Sequence, residues 1–194
     1  MNWSHRIAVT LVSLPLFAIA VAVAADVPDT AALLEQQRTA MKPFARFDGV
    51  WRGHATIVQA DGQTKRHIHT ERVGSLLGDT LKVIEGRSYN EDGSSGFNAF
   101  AVISFDPPSD GYRFHSYAQG RSGDFEMVAT PDGYVWSIPA GPVKFRYTAH
   151  VKDGEWSEIG ERLVEGQPAT RIFEMRLKRV GDTDWPGAGP VPMR

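Results

Sequence analysis

The sequence of 194 residues contains no cysteine. This absence excludes disulfide bonds, catalytic thiols, thiolate zinc sites and iron–sulfur clusters. It also removes the residue that a bacterial lipoprotein needs for its lipid anchor. The folded chain therefore has to be stabilised by its core alone, which a domain of this size can achieve.

An excess of charge of one sign is also lacking. The chain contains 21 Lys and Arg residues and 23 Asp and Glu residues, so its formal net charge is −2 at pH 7. The basic residues are scattered along the chain, and we therefore expect no nucleic-acid partner. A glycine-rich phosphate loop before a helix and a G-x-S-x-G nucleophile motif are missing as well.

Long apolar runs are confined to the first segment of the chain. There MNWSHR precedes the uncharged run IAVTLVSLPLFAIAVAVA, and Ala22-Val-Ala24 forms a small-x-small site. This pattern predicts a signal peptide over residues 1–24, cleaved after Ala24. An uncleaved anchor is the alternative, which Pro15 and the absence of a basic flank disfavour. We expect an exported protein, periplasmic or secreted, without stable membrane insertion after cleavage.

A helix is predicted at the start of the mature chain. Residues 25–43 form this helix and its linker, with Asp29 as the cap of a helix from about Thr30 to Met41. Pro43 ends the helix, because the residue before a proline avoids the helical conformation.

Short strand-like segments then fill residues 44–180. They are Val50–Gln59, Thr64–Val73, Thr80–Glu85, Phe97–Phe105, Tyr112–Ala118, Asp124–Ala129, Tyr134–Ile138, Val143–Val151, Glu155–Val164 and Thr170–Arg179. Apolar and polar residues alternate within several of them, as in half-buried antiparallel strands, and glycine-containing turns separate most of them. The sequence predicts an all-β, up-and-down antiparallel β-barrel of about ten strands, with a β-sandwich as the alternative. Residues 181–194 are predicted to form a flexible tail rich in Gly and Pro.

The first predicted strand begins with Gly49-Val-Trp51-Arg-Gly53. This start resembles the G-x-W motif of the calycin superfamily, which includes lipocalins, fatty-acid-binding proteins and nitrobindin-like barrels. The longer G-x-W-x-G form is most similar to an uncharacterised family of exported bacterial lipocalin-like domains. The resemblance covers residues 44–180. It implies that Trp51 plugs the closed end of the barrel and that Gly49 and Gly53 permit the tight strand entry.

The resemblance also implies a cationic partner for this tryptophan. In such barrels an arginine from the last strand packs on the ring, and here Arg176 and Arg179 are the candidates. Nitrobindin-like relatives bind haem through a histidine near the end of the chain. The last predicted strand, TRIFEMRLKRV, has no histidine, so this feature does not carry over.

The segment Arg66-His-Ile-His-Thr-Glu-Arg72 is the strongest chemical candidate. His67, His69 and Glu71 are two residues apart, so on a strand all three point to one side. Two histidines and a carboxylate on one face are a ligand set for zinc or another divalent metal. The alternatives are a solvated face or the wet lining of a cavity.

A second polar set lies on the strand that contains His115 and Tyr117. If this face lines the barrel, these two residues would join His67 and His69 as polar groups that orient a ligand in a mostly apolar cavity. The alternative is that His115 and Tyr117 lie on the outer surface.

The sequence thus predicts an exported lipocalin-like protein that binds a small apolar or amphipathic molecule without catalysis. No catalytic residue and no cofactor is predicted. A metal-dependent or haem-type barrel enzyme is one alternative. A structural or partner-binding envelope protein is the other.

Overall fold

The computed structural model describes residues 29–59, 61–187 and 192–193. The predicted signal peptide, residues 1–24, lies outside the described part of the chain. Within that part, no helix is both long enough and apolar enough to cross a membrane.

The described chain begins with a helix that Asp29 caps. Helix α1 spans Thr30–Met41, and Asp29 Oδ1 accepts a hydrogen bond of 2.9 Å from the backbone N–H of Ala31. A short 3-10 helix, Lys42–Phe47, follows directly. The predicted helix is confirmed, because its good helix formers, its cap and its terminating proline all agree.

Ten strands then form a single closed barrel. They are β1 Gly49–Val58, β2 Thr64–Leu76, β3 Leu81–Tyr89, β4 Ser95–Asp106, β5 Gly111–Ala118, β6 Arg121–Thr130, β7 Gly133–Ala140, β8 Val143–Lys152, β9 Glu155–Val164 and β10 Thr170–Gly181. Each strand pairs antiparallel with the next, and β1 pairs with β10. The predicted up-and-down barrel is confirmed, and the sandwich alternative is wrong because the β1–β10 pairing closes the ring.

Aromatic side chains close one end of the barrel. Phe44 and Phe47 from the 3-10 helix are 1% exposed, and Trp51 is fully buried. The indole Nε1 of Trp51 donates a 2.7 Å hydrogen bond to the carbonyl oxygen of Phe47. Trp156 meets Trp51 edge to face at 5.8 Å between ring centroids. The 3-10 helix and Trp51 together make the floor of the barrel.

A buried lysine ties the floor to the barrel wall. Lys82 is 3% exposed, and its Nζ lies 2.7 Å from Oδ1 and 2.9 Å from Oδ2 of Asp48. The same Nζ donates to Ser75 Oγ at 2.7 Å. The ammonium therefore has three acceptors, which compensate for the water it loses on burial.

The glycines of the opening motif allow close backbone contacts. Gly49 has φ of +125°, which only glycine adopts without strain, and a Cβ there would lie 2.6 Å from the carbonyl oxygen of Gly181. A Cβ on Gly53 would lie 2.1 Å from the carbonyl oxygen of Arg176. Both glycines let β1 approach β10 where the barrel closes.

Arg176 does not pack on Trp51, in contrast to what the resemblance implies. Its side chain is exposed and pairs with Glu174 and Glu155 on the outer surface. Met175 and Leu177 are buried in the core, so the alternation of the strand turns Arg176 outward. Arg179 instead donates to the carbonyl oxygen of Asp48 at 3.1 and 3.2 Å.

The chain after β10 continues along the outside of the barrel. The sequence predicts a flexible tail from residue 181, whereas the structure packs Trp185 on the wall. The guanidinium of Arg72 lies 4.5 Å from the centre of the Trp185 ring, and Phe100 meets the ring edge to face at 6.4 Å. A cation–π contact and an aromatic contact therefore hold this part of the segment.

Candidate functional site

The interior of the barrel holds a cavity of about 810 Å³. Ligand pockets in proteins commonly enclose roughly 300–1,000 Å³, so this volume suits a small organic molecule. Most of the wall is apolar, and its aromatic members are Phe97, Phe114, Phe125, Tyr134, Trp136, Phe145, Tyr147, Trp156 and Phe173. Trp136 stacks between Phe114 at 4.4 Å and Tyr147 at 4.6 Å.

The strand register orders the lining residues from the floor to the open end. Trp156 lies at the floor against Trp51, and Val58, Gln119 and Arg121 lie at the opposite end. Arg121 is exposed and is the first residue of β6. Of the lining residues that the structure describes, it is the only Lys or Arg.

A chain of three hydrogen-bonded polar side chains lies along one side of the deep half of the cavity. His69 is 3% exposed, and its Nε2 lies 2.8 Å from Glu71 Oε1. Its Nδ1 lies 2.7 Å from Ser88 Oγ. Strands β2 and β3 bring these residues together, because His69 pairs with Ser88 and Glu71 pairs with Gly86 in the ladder.

The chemistry of these groups determines which atom donates and which accepts in each hydrogen bond. A carboxylate only accepts, so the Nε2–H of His69 donates to Glu71. When the ring is neutral, Nδ1 has no proton and accepts from the Ser88 hydroxyl. The second carboxylate oxygen, Glu71 Oε2, is buried and has no hydrogen-bond partner in the described part of the chain.

Glu158 is the second acid of the deep half. It is 8% exposed, and Trp136 Nε1 donates to its Oε1 at 3.3 Å. Burial, and then the negative charge of Glu71, raise the pKa of Glu158 to about 8, although the bond from Trp136 opposes this shift. Glu158 is therefore mostly protonated and uncharged at neutral pH.

Two tyrosines beside these acids also stay uncharged. Burial and the charges of Glu158 and Glu71 raise the pKa of Tyr134 well above its usual value. Burial and Glu158 raise the pKa of Tyr147. The deep half therefore combines phenols, indoles and an uncharged acid around Glu71.

One indole at the floor lacks a partner among the described residues. Trp156 is 1% exposed and lines the cavity, and its Nε1 has no hydrogen-bond partner there. An unmet buried donor costs free energy, on the order of 1–3 kcal/mol. Trp156 Nε1 and Glu71 Oε2 are thus a buried donor and a buried acceptor, both unpaired within the described part of the chain, on residues that line the same cavity.

The structure separates the two predicted histidines of β2. His69 and Glu71 line the cavity. His67 lies one residue before the first β2–β3 pair, Ile68–Tyr89, and borders a depression that His54 and Arg66 also line. The strand alternation is as predicted, but β2 extends past its neighbour here, so His67 is left at the margin of the barrel.

His115 and Tyr117 lie on the outer face of β5. His115 Nδ1 contacts Asp124 Oδ1 of β6, and Tyr117 is 51% exposed and packs near Phe100. The inner face of this strand carries Phe114 and Ser116 instead. The structure therefore places Phe114 and Ser116 in the cavity lining, where the sequence had predicted His115 and Tyr117.

Among the described residues, no three His, Asp or Glu side chains converge in a way that would hold a metal ion. Of the described histidines, only His69 lines the cavity, and Glu71 and Ser88 engage both of its ring nitrogens. An axial haem ligand needs a free imidazole nitrogen. The residues of the cavity therefore do not fit a histidine-ligated haem.

The sequence prediction missed several residues of this site. Ser88, Glu158, Trp136 and Trp156 all line the cavity. One signal was available in Glu155-Trp-Ser-Glu158-Ile-Gly160, where an acid shares a strand face with a tryptophan and a glycine. A lone acid on an apolar strand face is a candidate for a buried, functional carboxyl.

Comparison with solved structures finds barrels of the same kind. The crystal structure of Rv2717c from M. tuberculosis matches with a TM-score of 0.56 and 12% identity, covering 73% of this chain and 97% of that chain. The S-type phycobiliprotein lyase CPES from Guillardia theta matches with a TM-score of 0.50 and 9% identity, covering 80% and 100%. No family model and no curated protein matches the sequence. At these identities the likeness shows the fold alone, and together with the ten-strand barrel it fits a calycin-like fold.

Proposed function

We propose that this protein is an exported lipocalin-like carrier that binds a small, mostly apolar or amphipathic molecule in its barrel without chemical change. The observation that carries the proposal is the cavity of about 810 Å³ with an aromatic wall and a few polar groups at its deep end. Aromatic walls bind apolar surface, and a few fixed polar groups set the orientation of a ligand.

A packed floor and an open volume above it favour a carrier over a structural barrel. The floor is packed by Phe44, Phe47, Trp51 and Trp156, each 1% exposed or less, while the volume above it remains open. A barrel that served only as a structural scaffold would gain stability from side chains filling this volume, because empty apolar space costs packing energy. The open volume therefore favours the carrier over the structural alternative.

A second candidate function, an enzyme, is favoured by one observation. The Ser88–His69–Glu71 chain joins a hydroxyl, an imidazole and a carboxylate at 2.7 and 2.8 Å, the groups of a nucleophilic triad. One similar barrel is named a phycobiliprotein lyase, so this architecture is compatible with enzymes. An enzyme of this kind would hydrolyse activated esters and lose that activity in Ser88→Ala; the carrier proposal expects no turnover.

Binding is tested first on what the protein retains during purification. Native mass spectrometry of the mature protein is expected to show a bound small molecule. If none is retained, the cavity is expected to accept an uncharged fluorescent apolar probe such as N-phenyl-1-naphthylamine. Ser116→Trp fills the cavity from β5 and is expected to abolish probe binding. Val128→Trp is the matched control, because Val128 is 65% exposed on the neighbouring strand.

The control separates cavity filling from general damage. Both variants add the same indole, but only position 116 lines the cavity. Equal probe binding in wild type and Ser116→Trp, with both variants folded, would contradict the carrier proposal. Loss of binding in both variants would show that the added indole, and not the filling of the cavity, abolishes binding, and this would contradict the proposal as well.

A further inference from the structure

At the deep end of the cavity, two buried polar atoms lack hydrogen-bond partners among the described residues, and they indicate which head group a ligand would need. Glu71 Oε2 is a buried acceptor without a donor. Trp156 Nε1 is a buried donor without an acceptor, on a side chain that is 1% exposed and lines the same cavity. A head group that satisfies both must carry a donor for the carboxylate and an acceptor for the indole.

The charges around this position favour a cation as the donor. Two acids, Glu71 and Glu158, face the deep half of the cavity, and the one lining arginine, Arg121, lies at the opposite open end within the described chain. A buried carboxylate is stabilised by a positive group that donates to it, because charge-assisted hydrogen bonds are the strongest in a dry site. A negative head group would be repelled by the Glu71 carboxylate, and it would keep Glu158 from ionising.

The aromatic wall next to the acids favours an apolar body behind the head group. Trp136 is stacked between Phe114 at 4.4 Å and Tyr147 at 4.6 Å, and it also donates to Glu158. Its ring faces are thus covered by aromatic neighbours, and the cluster offers apolar surface to a ligand. An aromatic wall beside a carboxylate is therefore suited to a molecule that joins a positive head group to an apolar body.

Neighbouring residues fix the position of the Glu71 carboxyl group. His69 Nε2 holds Oε1 at 2.8 Å, and His69 is itself held by Ser88. A Cβ on Gly86 would lie 2.6 Å from Oε1, so the neighbouring strand leaves room for the carboxyl group. One oxygen is thus fixed by the protein, and the other is buried without a donor among the described residues.

We propose that the cavity binds amphipathic organic amines, with the ammonium group at the Glu71 carboxyl group. Both Glu71 Oε2 and Trp156 Nε1 are covered in the structure, so binding shifts the side chains around them until Oε2 accepts from the ammonium and Nε1 donates to an oxygen beside it. The apolar body of the molecule lies along the aromatic wall toward the open end. This inference rests on the proposed carrier function, because it names the class of ligand for that cavity.

The test compares three probes that differ only in the head group. The first is an amino alcohol that carries a naphthyl ring, the second is the diol with a hydroxyl in place of the amine, and the third is the hydroxy acid with a carboxylate in that place. Isothermal titration calorimetry at about pH 7, where the amine is charged, is expected to rank them in this order. The amino alcohol should bind at least about tenfold more tightly than the diol, the gain of one charge-assisted hydrogen bond.

Two variants and a control locate the preference. Glu71→Gln keeps an oxygen for His69 but removes the charge, so the affinity ratio of amino alcohol to diol should fall to about one. Glu158→Gln tests the second acid and should lower the ratio less. Glu161→Gln is the matched control, because Glu161 lies on the outer face of β9 and pairs with Arg146; there the ratio should be unchanged.

The outcomes distinguish the two proposals. If none of the three probes binds wild-type protein, and apolar probes fail as well, the carrier function itself is overturned. If all three bind equally, or the hydroxy acid binds best, the carrier function survives and the amine preference is overturned. The ranking in the wild type decides this even if Glu71→Gln fails to fold.

Discussion

Gly86 leaves the space that the Glu71 carboxyl group occupies: a Cβ at position 86 would lie 2.6 Å from Glu71 Oε1 and 3.0 Å from its Cδ. The two residues face each other across the β2–β3 ladder. The absence of one side chain on β3 thus decides where an acid of β2 can lie.

Gly86→Ala is therefore expected to displace the Glu71 carboxyl group and weaken its bond to His69. We expect a loss of about 1–3 kcal/mol in the free energy of unfolding, the cost of disturbing a buried hydrogen bond. Urea denaturation measures this loss. Gly181→Ala is the control, because a Cβ there meets nothing within 4 Å; equal losses in both variants would contradict the assignment.

Glu158 is expected to make stability depend on pH. Its pKa is about 8 in the folded protein against an ordinary value of 4.5, so between these values the folded state holds a proton that the unfolded chain has released. Stability should fall as the pH rises through this window, by up to about 1.4 kcal/mol per pH unit. Below about pH 4.5 both states are protonated and this contribution is constant.

The measurement is a series of urea denaturation curves between about pH 4.5 and pH 9. Glu158→Gln removes the titrating group and should flatten the slope relative to wild type. Glu161→Gln on the outer face should leave the slope as it is. The prediction would be refuted if the free energy of unfolding of the wild type rose with pH across this window. It would also be refuted if Glu158→Gln showed the same dependence on pH as the wild type.

Binding of an amine should release a proton from Glu158. A cation next to the acid favours its charged form and lowers its pKa, which starts at about 8. Calorimetry of the naphthyl amino alcohol at about pH 7, in two buffers of different ionisation enthalpy, should show a net release of a fraction of one proton. The release should disappear in Glu158→Gln, and uptake instead of release would be inconsistent with the proposed position of the amine.

The buried Lys82 should be necessary for the closed end. Lys82→Met removes the partner of Asp48 and Ser75, and we expect a loss of about 1–3 kcal/mol, because Asp48 is partly exposed and keeps some hydration. Lys178→Met on the exposed outer face of β10 is the control and should change stability by less than about 0.5 kcal/mol. Thermal denaturation of both variants would show whether the losses differ as expected.

The barrel could be predicted from the sequence because strand alternation and turns repeat along the chain. Phe145 and Tyr147 alternate with Lys144 and Arg146, so one face of β8 is unambiguous, and the structure places the two aromatic residues in the cavity. The helix from Thr30 was equally clear, since its cap and its end are both local signals.

The facing of β5 could not be predicted in the same way. Its two faces carry Tyr112, Phe114 and Ser116 or Arg113, His115 and Tyr117, so each face has aromatic and polar members. The period of two then gives no preference, and the outcome depends on neighbouring strands: Asp124 of β6 holds His115 outside. The pairing of His69 with Ser88 is likewise a long-range register that local patterns do not contain.

The closure of the barrel also determines when its cavity can exist. β1 pairs with β10, so Trp51 and Arg179, far apart in the sequence, become neighbours only when the last strand is in place. Contacts of such separation form slowly, because a long loop must be ordered before they are made. During synthesis the growing chain has aromatic side chains but no enclosed interior. The proposed carrier therefore has no cavity for a ligand until the final strand has been completed and paired.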